Sequence, residues 1–293
     1  MKILGAMGGP TCISIVLSFF AVVAVVVGEP IRLEDATLGR GTNRQLLQFG
    51  GQTLPPDFVV PEMNCSRQGQ FPYMVSVRDR AGDHLCGGVV IAEDAVLTAA
   101  HCIDVRFSAN SNPTPMVYLG GLDRDNPIEK RQTVRPLLPK GWTGDPLDGS
   151  DIAILKLDKP TCLKPIPALG NRMKPNQEVN FLGYGRSSIG GSFSYILGAG
   201  KFRYLTNKNC SATFDLKTKL TFNDICIKGP NSAGVCVGDD GGPAMVRPTP
   251  FEFKDRLVGI ASYATGDCTD ADAVTIFTRV KAHLKWIRES LKD

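Results

Sequence analysis

The chain has 293 residues, 43% of them hydrophobic and 21% charged, with a formal charge of +4 at pH 7. That length suits one large all-β domain or two small domains, and the composition is ordinary for a globular protein. A charge this mild, with no basic run, argues against a nucleic-acid partner, and removing the first 28 residues takes away only Lys2 and leaves +3.

The start of the chain reads as a targeting signal. Met1-Lys2 is a short basic opening, an apolar run spans Ile13 to Val27, and Gly28-Glu29-Pro30 follows. Small side chains at Val26 and Gly28 suit cleavage after Gly28. The run is shorter than the roughly 20 residues of a membrane span, so no stable span is expected once it is cut. Residues 29–58 are polar and turn-rich and carry no cysteine, which reads as a flexible leader. From Phe71 onward short β-branched and aromatic runs recur between Gly, Pro, Asn and Asp clusters: Tyr73–Val77, Val89-Val90-Ile91, Ile152–Leu157, Val179–Leu182 and Leu257–Ile260. This spacing predicts an all-β sandwich or barrel. Val280, Leu284, Ile287 and Leu291 recur at helical spacing among Lys, Arg and Glu, which predicts an amphipathic helix at the end. Trp286 on that helix reads as core packing.

Cys12 leaves with the signal, and eight cysteines remain: Cys65, Cys86, Cys102, Cys162, Cys210, Cys226, Cys236 and Cys268. An even count after a secretion signal reads as a disulfide framework. No pair has CxxC spacing and the histidines are His84, His101 and His283 alone, so no metal or other cofactor is expected. Eight cysteines allow on the order of a hundred pairings, and the sequence does not choose among them.

Three motifs carry chemistry: Leu97-Thr98-Ala99-Ala100-His101-Cys102, Gly149-Ser150-Asp151-Ile152-Ala153-Ile154-Leu155 and Cys236-Val237-Gly238-Asp239-Asp240-Gly241-Gly242-Pro243. In this order and separation the chain resembles the trypsin/chymotrypsin family of serine proteases. Cys86-Gly87-Gly88, Gly183-Tyr184-Gly185, Leu257–Tyr263 and Phe277–Val280 extend the resemblance over residues 59–293. It implies an all-β fold of two antiparallel six-stranded barrels and a C-terminal helix, with a site in the cleft between the barrels. It also implies the bridges Cys86–Cys102, Cys210–Cys226 and Cys236–Cys268. By elimination Cys65 and Cys162 are left to pair with each other.

Acyl transfer in such a site needs an imidazole base, a buried carboxylate that orients it, a hydroxyl nucleophile and two backbone N–H groups for the oxyanion. The resemblance gives the first role to His101, the second to Asp151 and the last to the N–H groups of Gly238 and Asp240. The nucleophile position holds Asp240. Its carboxylate has no proton for His101 to take, and it brings negative charge to the place where the transition state develops its own. The start of the domain departs as well. Val59-Val60-Pro61-Glu62 stands where the family has Ile-Val-Gly-Gly, and the nearest upstream basic residue is Arg44. The resemblance makes Asp239 the carboxylate that a freed terminus would pair with; here it needs another partner. In the specificity pocket Gly234 replaces the aspartate of trypsin-like enzymes. Ala264 and Thr275 replace wall glycines beside Ser262, so a shallow pocket without basic selectivity is expected. Asn64-Cys65-Ser66 and Asn209-Cys210-Ser211 match the N-glycosylation pattern.

These readings predict a secreted, extracellular protease homologue that has lost catalysis and binds a protein partner through its cleft and loops. The alternative is an active serine-type endopeptidase with a shallow pocket.

Overall fold

The computed structural model describes residues 71–107, 111–186, 190–214, 216, 219–229, 234–246, 254–268, 270 and 273–292, together with four short strands nearer the start. Those strands pair as β1 (Ile15–Ser18) with β2 (Ala21–Ala24) and β3 (Gln48–Phe49) with β4 (Gln52–Thr53). The rest of the expected signal segment and leader, and the whole of Val59–Glu62, lie outside the described residues. Two compact units divide the chain: Met1–Phe58 with Glu62–Gln68, and Val59–Pro61 with Gly69–Asp293. Everything below concerns the second. Among the described residues no helix is long and apolar enough to cross a membrane.

Strands β5 (Met74–Arg78), β6 (His84–Ala92), β7 (Ala95–Thr98), β8 (Met116–Leu119), β9 (Glu129–Leu137) and β10 (Ala153–Leu157) close into a barrel in the order β10-β7-β6-β5-β8-β9. Every side chain of β5, β7 and β10 is buried, the polar Ser76, Arg78, Thr98 and Lys156 included. The Lys156 ammonium reaches Asp94 at 2.6 Å.

The second barrel uses β12 (Glu178–Gly183), β13 (Gly198–Leu205), β14 (Asp224–Lys228), β15 (Pro243–Val246), β16 (Arg256–Ala264) and β17 (Thr275–Arg279). They run β16-β15-β12-β13-β14-β17, and the β16–β17 pairing closes the ring. The short strand β11 (Ala168–Leu169) adds to β16 in parallel. On β13 the two-residue period is visible directly: Phe202 and Tyr204 are buried while Lys201 and Arg203 are exposed. Phe181 meets Phe202 and Phe277 edge-on, with ring centroids 6.1 and 5.7 Å apart. Each such ring contributes about 1.5–3 kcal/mol by leaving water.

Helix α1 (Asn207–Thr213) starts at Thr206, whose Oγ1 accepts the Asn209 N–H at 3.2 Å. Helix α2 (Val280–Ser290) follows β17 without a loop. Its expected stripe is present: Val280 and Ile287 are buried and Leu284 half-buried, although Leu291 falls at the cap. His283 joins the buried face, and Trp286 packs edge-on against it at 6.4 Å.

The bridges Cys86–Cys102, Cys210–Cys226 and Cys236–Cys268 form, with Cα separations of 6.3, 6.3 and 5.0 Å. For the Cys65–Cys162 expectation, Cys162 is exposed and unbonded among the described residues, and Cys65 lies outside them. Of the two glycosylation motifs, Asn64 lies outside the described residues. Asn209 is exposed on α1, but the next residue, Cys210, is buried in its bridge.

Candidate active-site cleft

Strand register brings the first two site residues together. Thr98 ends β7 opposite Ala153, which begins β10. The chain leaving β7 therefore meets the chain entering β10, and these carry His101 and Asp151. Asp151 is fully buried and works as a hub. Its carboxylate accepts the His101 Nδ1–H at 2.7 Å, the His101 backbone N–H at 2.9 Å and the Ser262 hydroxyl at 2.6 Å. Thr278 donates to its backbone carbonyl at 2.8 Å. Ser262, expected only in the specificity pocket, thus reaches across from β16 to the carboxylate of the first barrel. The Phe107 ring, half-exposed, leans on the His101 ring with centroids 5.0 Å apart.

The third motif forms a tight loop before β15. Gly238 sits at φ +92° and Gly241 at φ +77°, conformations that favour glycine. A Cβ on Gly241 would stand 2.4 Å from Thr98 Oγ1. The loop is held from both sides. The Gly87 N–H donates to the Asp240 carbonyl at 2.7 Å, and the Gly241 N–H donates to the Ala261 carbonyl at 2.8 Å. The Arg186 N–H donates to the Val237 carbonyl at 3.1 Å.

Asp240 is half-buried, and the backbone N–H groups of Asp240 and Gly238 lie near enough to its carboxylate to favour the charged form. These are the two donors that the resemblance assigns to the oxyanion. Burial pushes this carboxyl up to about 6, with the His101 charge and the two N–H groups working against the rise and Asp151 adding to it. His101 moves the other way. Burial alone would lower it, but Asp151, by charge and hydrogen bond, and Asp240, by charge, raise it to about 9. That shift favours the protonated ring near neutral pH, and the nucleophile position holds a carboxylate in place of a hydroxyl.

Asp239 is buried and takes hydrogen bonds from backbone: the Gly185 N–H at 2.7 Å and the Cys236 N–H at 3.0 Å. Burial raises it to about 7, the two N–H groups oppose this, and the neighbouring Asp240 adds to it. The glycines of Gly183-Tyr184-Gly185 make the room. A Cβ on Gly183 would lie 1.8 Å from Asp239 Oδ1, and one on Gly185 would meet its Cγ at 2.4 Å.

One contributor escaped the sequence reading. His84, two residues before Cys86, is buried, with Nε2 2.9 Å from the Gly238 carbonyl and Nδ1 2.7 Å from Ser76 Oγ. A carbonyl only accepts, so Nε2 carries the proton and Nδ1 accepts from the serine. Burial holds this ring down at about 4; the Gly238 bond opposes that, and Arg124 and Arg78 add to it. The scarcity of histidines, and the place of this one just ahead of Cys86-Gly87-Gly88, was the available signal.

In the pocket region Gly234 is half-buried, and a Cβ there would meet the Cys268 carbonyl at 2.8 Å. Ala264 and Thr275 lie directly opposite each other across β16 and β17, the first exposed and the second buried. Among the described residues one group of potential metal ligands comes together, Cys86, His101 and Cys102. The two cysteines are bonded to each other, so neither offers a thiolate.

Two closed antiparallel barrels and a C-terminal helix, with the His–Asp pair and the third loop between them, define a chymotrypsin-like protein. The chain belongs to the trypsin family: the family model described as Trypsin matches residues 62–287. It is 26% identical over 287 residues to serine protease SP24D of Anopheles gambiae, covering 96% of this chain and 97% of that protein. It is 25% identical over 279 residues to glucanase inhibitor protein 2 of Phytophthora sojae, covering 92% and 88%. Among solved structures it resembles neuropsin, a serine protease expressed in the limbic system of mouse brain. The TM-score is 0.65 at 21% identity, covering 77% of this chain and 96% of that one. That likeness concerns the fold.

Proposed function

We propose that this chain is a secreted trypsin-family homologue without peptidase activity, which acts by binding a protein partner through its cleft and loops. The observation that carries the reading is the Asp240 carboxylate in the nucleophile position, beside the N–H groups of Gly238 and Asp240. A tetrahedral intermediate needs those donors for its own oxyanion, and here a carboxylate competes for them. As a nucleophile the carboxylate would have to form a mixed anhydride while expelling an amine, a strongly uphill step. Loss of one member of such a triad typically leaves only about 10³–10⁴-fold catalysis over water. The hydrogen bonds Asp239 accepts from Gly185 and Cys236 fit a domain that needs no freed terminus. Secretion is supported by the reading of residues 1–28 as a cleaved signal, with 29–58 as leader, and by three disulfides, which persist in oxidising compartments. A relative named as an inhibitor of a glucanase is one whose name describes binding.

A fluorophosphonate probe should leave the purified protein unlabelled, and a broad peptide mixture should stay intact. Asp240→Ser restores a hydroxyl beside His101 and should allow slow labelling. Robust hydrolysis by the unaltered chain would establish the endopeptidase reading instead.

A further inference from the structure

Beside Gly238 the cleft is edged by a group of cations that the site chemistry does not use. The ring of Phe193 packs against His84 at 5.5 Å, and a Cβ on Gly238 would touch it at 2.6 Å. Two guanidiniums gather on this ring, Arg186 at 4.9 Å and Arg124 at 5.7 Å from its centroid, and Arg124 also lies 4.7 Å from the Tyr195 centroid. Their charges are poorly matched. Asp125 is held by Arg78 at 2.8 Å and reaches Arg124 only at 3.4 Å. Asp123 accepts the Asp125 N–H within its own turn. Arg186 pairs with no carboxylate among the described residues. Its Nε, and Nη1 of Arg124, are buried without a hydrogen-bond partner among the described residues. Next to them Val237 and Tyr195 are 62% and 49% exposed.

A guanidinium offers a planar fork of donors that fits a carboxylate, and neither of these two is fully matched by an acid of the described residues. We propose that Arg124 and Arg186, gathered on Phe193 beside Gly238, form a subsite for an acidic side chain of the polypeptide partner. The apolar surface of Val237 and Tyr195 takes the residue next to it. This assignment rests on the binding reading above and gives the partner a chemistry: a segment with a glutamate or aspartate flanked by apolar residues.

The probe is a short end-capped peptide with one glutamate between leucines, carrying a net-neutral dye, set against its glutamine and phosphoserine twins and read by fluorescence anisotropy. The glutamate peptide should bind about tenfold tighter than the glutamine peptide, the yield of one charge-assisted contact. Arg124→Gln and Arg186→Gln should each remove that preference, and high salt should weaken it. Arg186→Lys, which keeps the charge, guards against loss by misfolding and should retain part of the preference. Lys201→Gln with Arg203→Gln, on β13, should leave it unchanged. Equal affinities, no binding of either peptide, or a preference that survives both glutamine variants would overturn the subsite. Stronger binding of the phosphoserine twin would replace it with a phosphate site. Mass spectrometry of the recovered peptides separates the two ideas: cleavage sinks the inactive reading alone, and intact peptides without a glutamate preference sink the subsite alone.

Discussion

Gly183→Ala should destabilise the domain by more than about 3 kcal/mol, among the largest effects expected of any single methyl group here. The new Cβ would overlap Asp239 Oδ1 at 1.8 Å. The carboxylate would have to leave the Gly185 and Cys236 N–H groups that satisfy it, inside a site where an unpaired charge is costly. For a domain of this size such a loss lowers the melting temperature by about 6–12 °C. Thermal unfolding of the single variants and of Gly183→Ala with Asp239→Ala closes a double-mutant cycle. The pair should be clearly less damaged than the sum, because truncating Asp239 opens the space. Additive losses would mean that the carboxylate is not what fills the gap.

Raising the pH from about 7 to 9 should weaken the fold, because His101 holds its proton more tightly when folded. Its folded value of about 9 stands above the 6.5 of the free ring. The stabilisation is therefore complete below 6.5 and is lost as pH climbs through 9. Its full size is on the order of 3 kcal/mol. Asp239, raised to about 7, contributes in the same direction at the lower edge of this window. Below it the signs conflict. Asp240, raised to about 6, favours the acid side, while His84, lowered to about 4, and His283, also lowered, favour the alkaline side. Asp240→Asn should bring His101 down without returning it to 6.5, since Asp151 is the larger raising influence. An NMR titration of the His101 ring resonances measures this directly. A value at or below 6.5 in the unaltered chain would show that the two carboxylates do not act on the ring as described.

Much of this arrangement was legible before any coordinates. The motifs around His101, Asp151 and Asp240 are local strings, and the β-branched runs between turn clusters match β5, β10 and β12 to within a residue and fall inside the longer β6 and β16. What stayed hidden depends on contacts between distant segments. Ser262 is one plain residue in an apolar strand, and its bond to Asp151 spans 111 positions. The bond of His84 to Gly238 spans 154. Neither distance is encoded in local composition. Counting cysteines likewise carries no information about separation. Phe193 and the two arginines around it sit in stretches with no periodic pattern, so only the folded chain brings them beside Gly238.

The bond from the Arg186 N–H to the Val237 carbonyl has one more consequence. The peptide joining Val237 to Gly238 is a rigid plate, with its carbonyl and its N–H pointing opposite ways. Holding the carbonyl at 3.1 Å therefore also fixes the direction of the Gly238 N–H, one of the two groups that the resemblance assigns to the oxyanion. A change at the surface that shifted Arg186 would be expected to rotate that plate, and with it that donor.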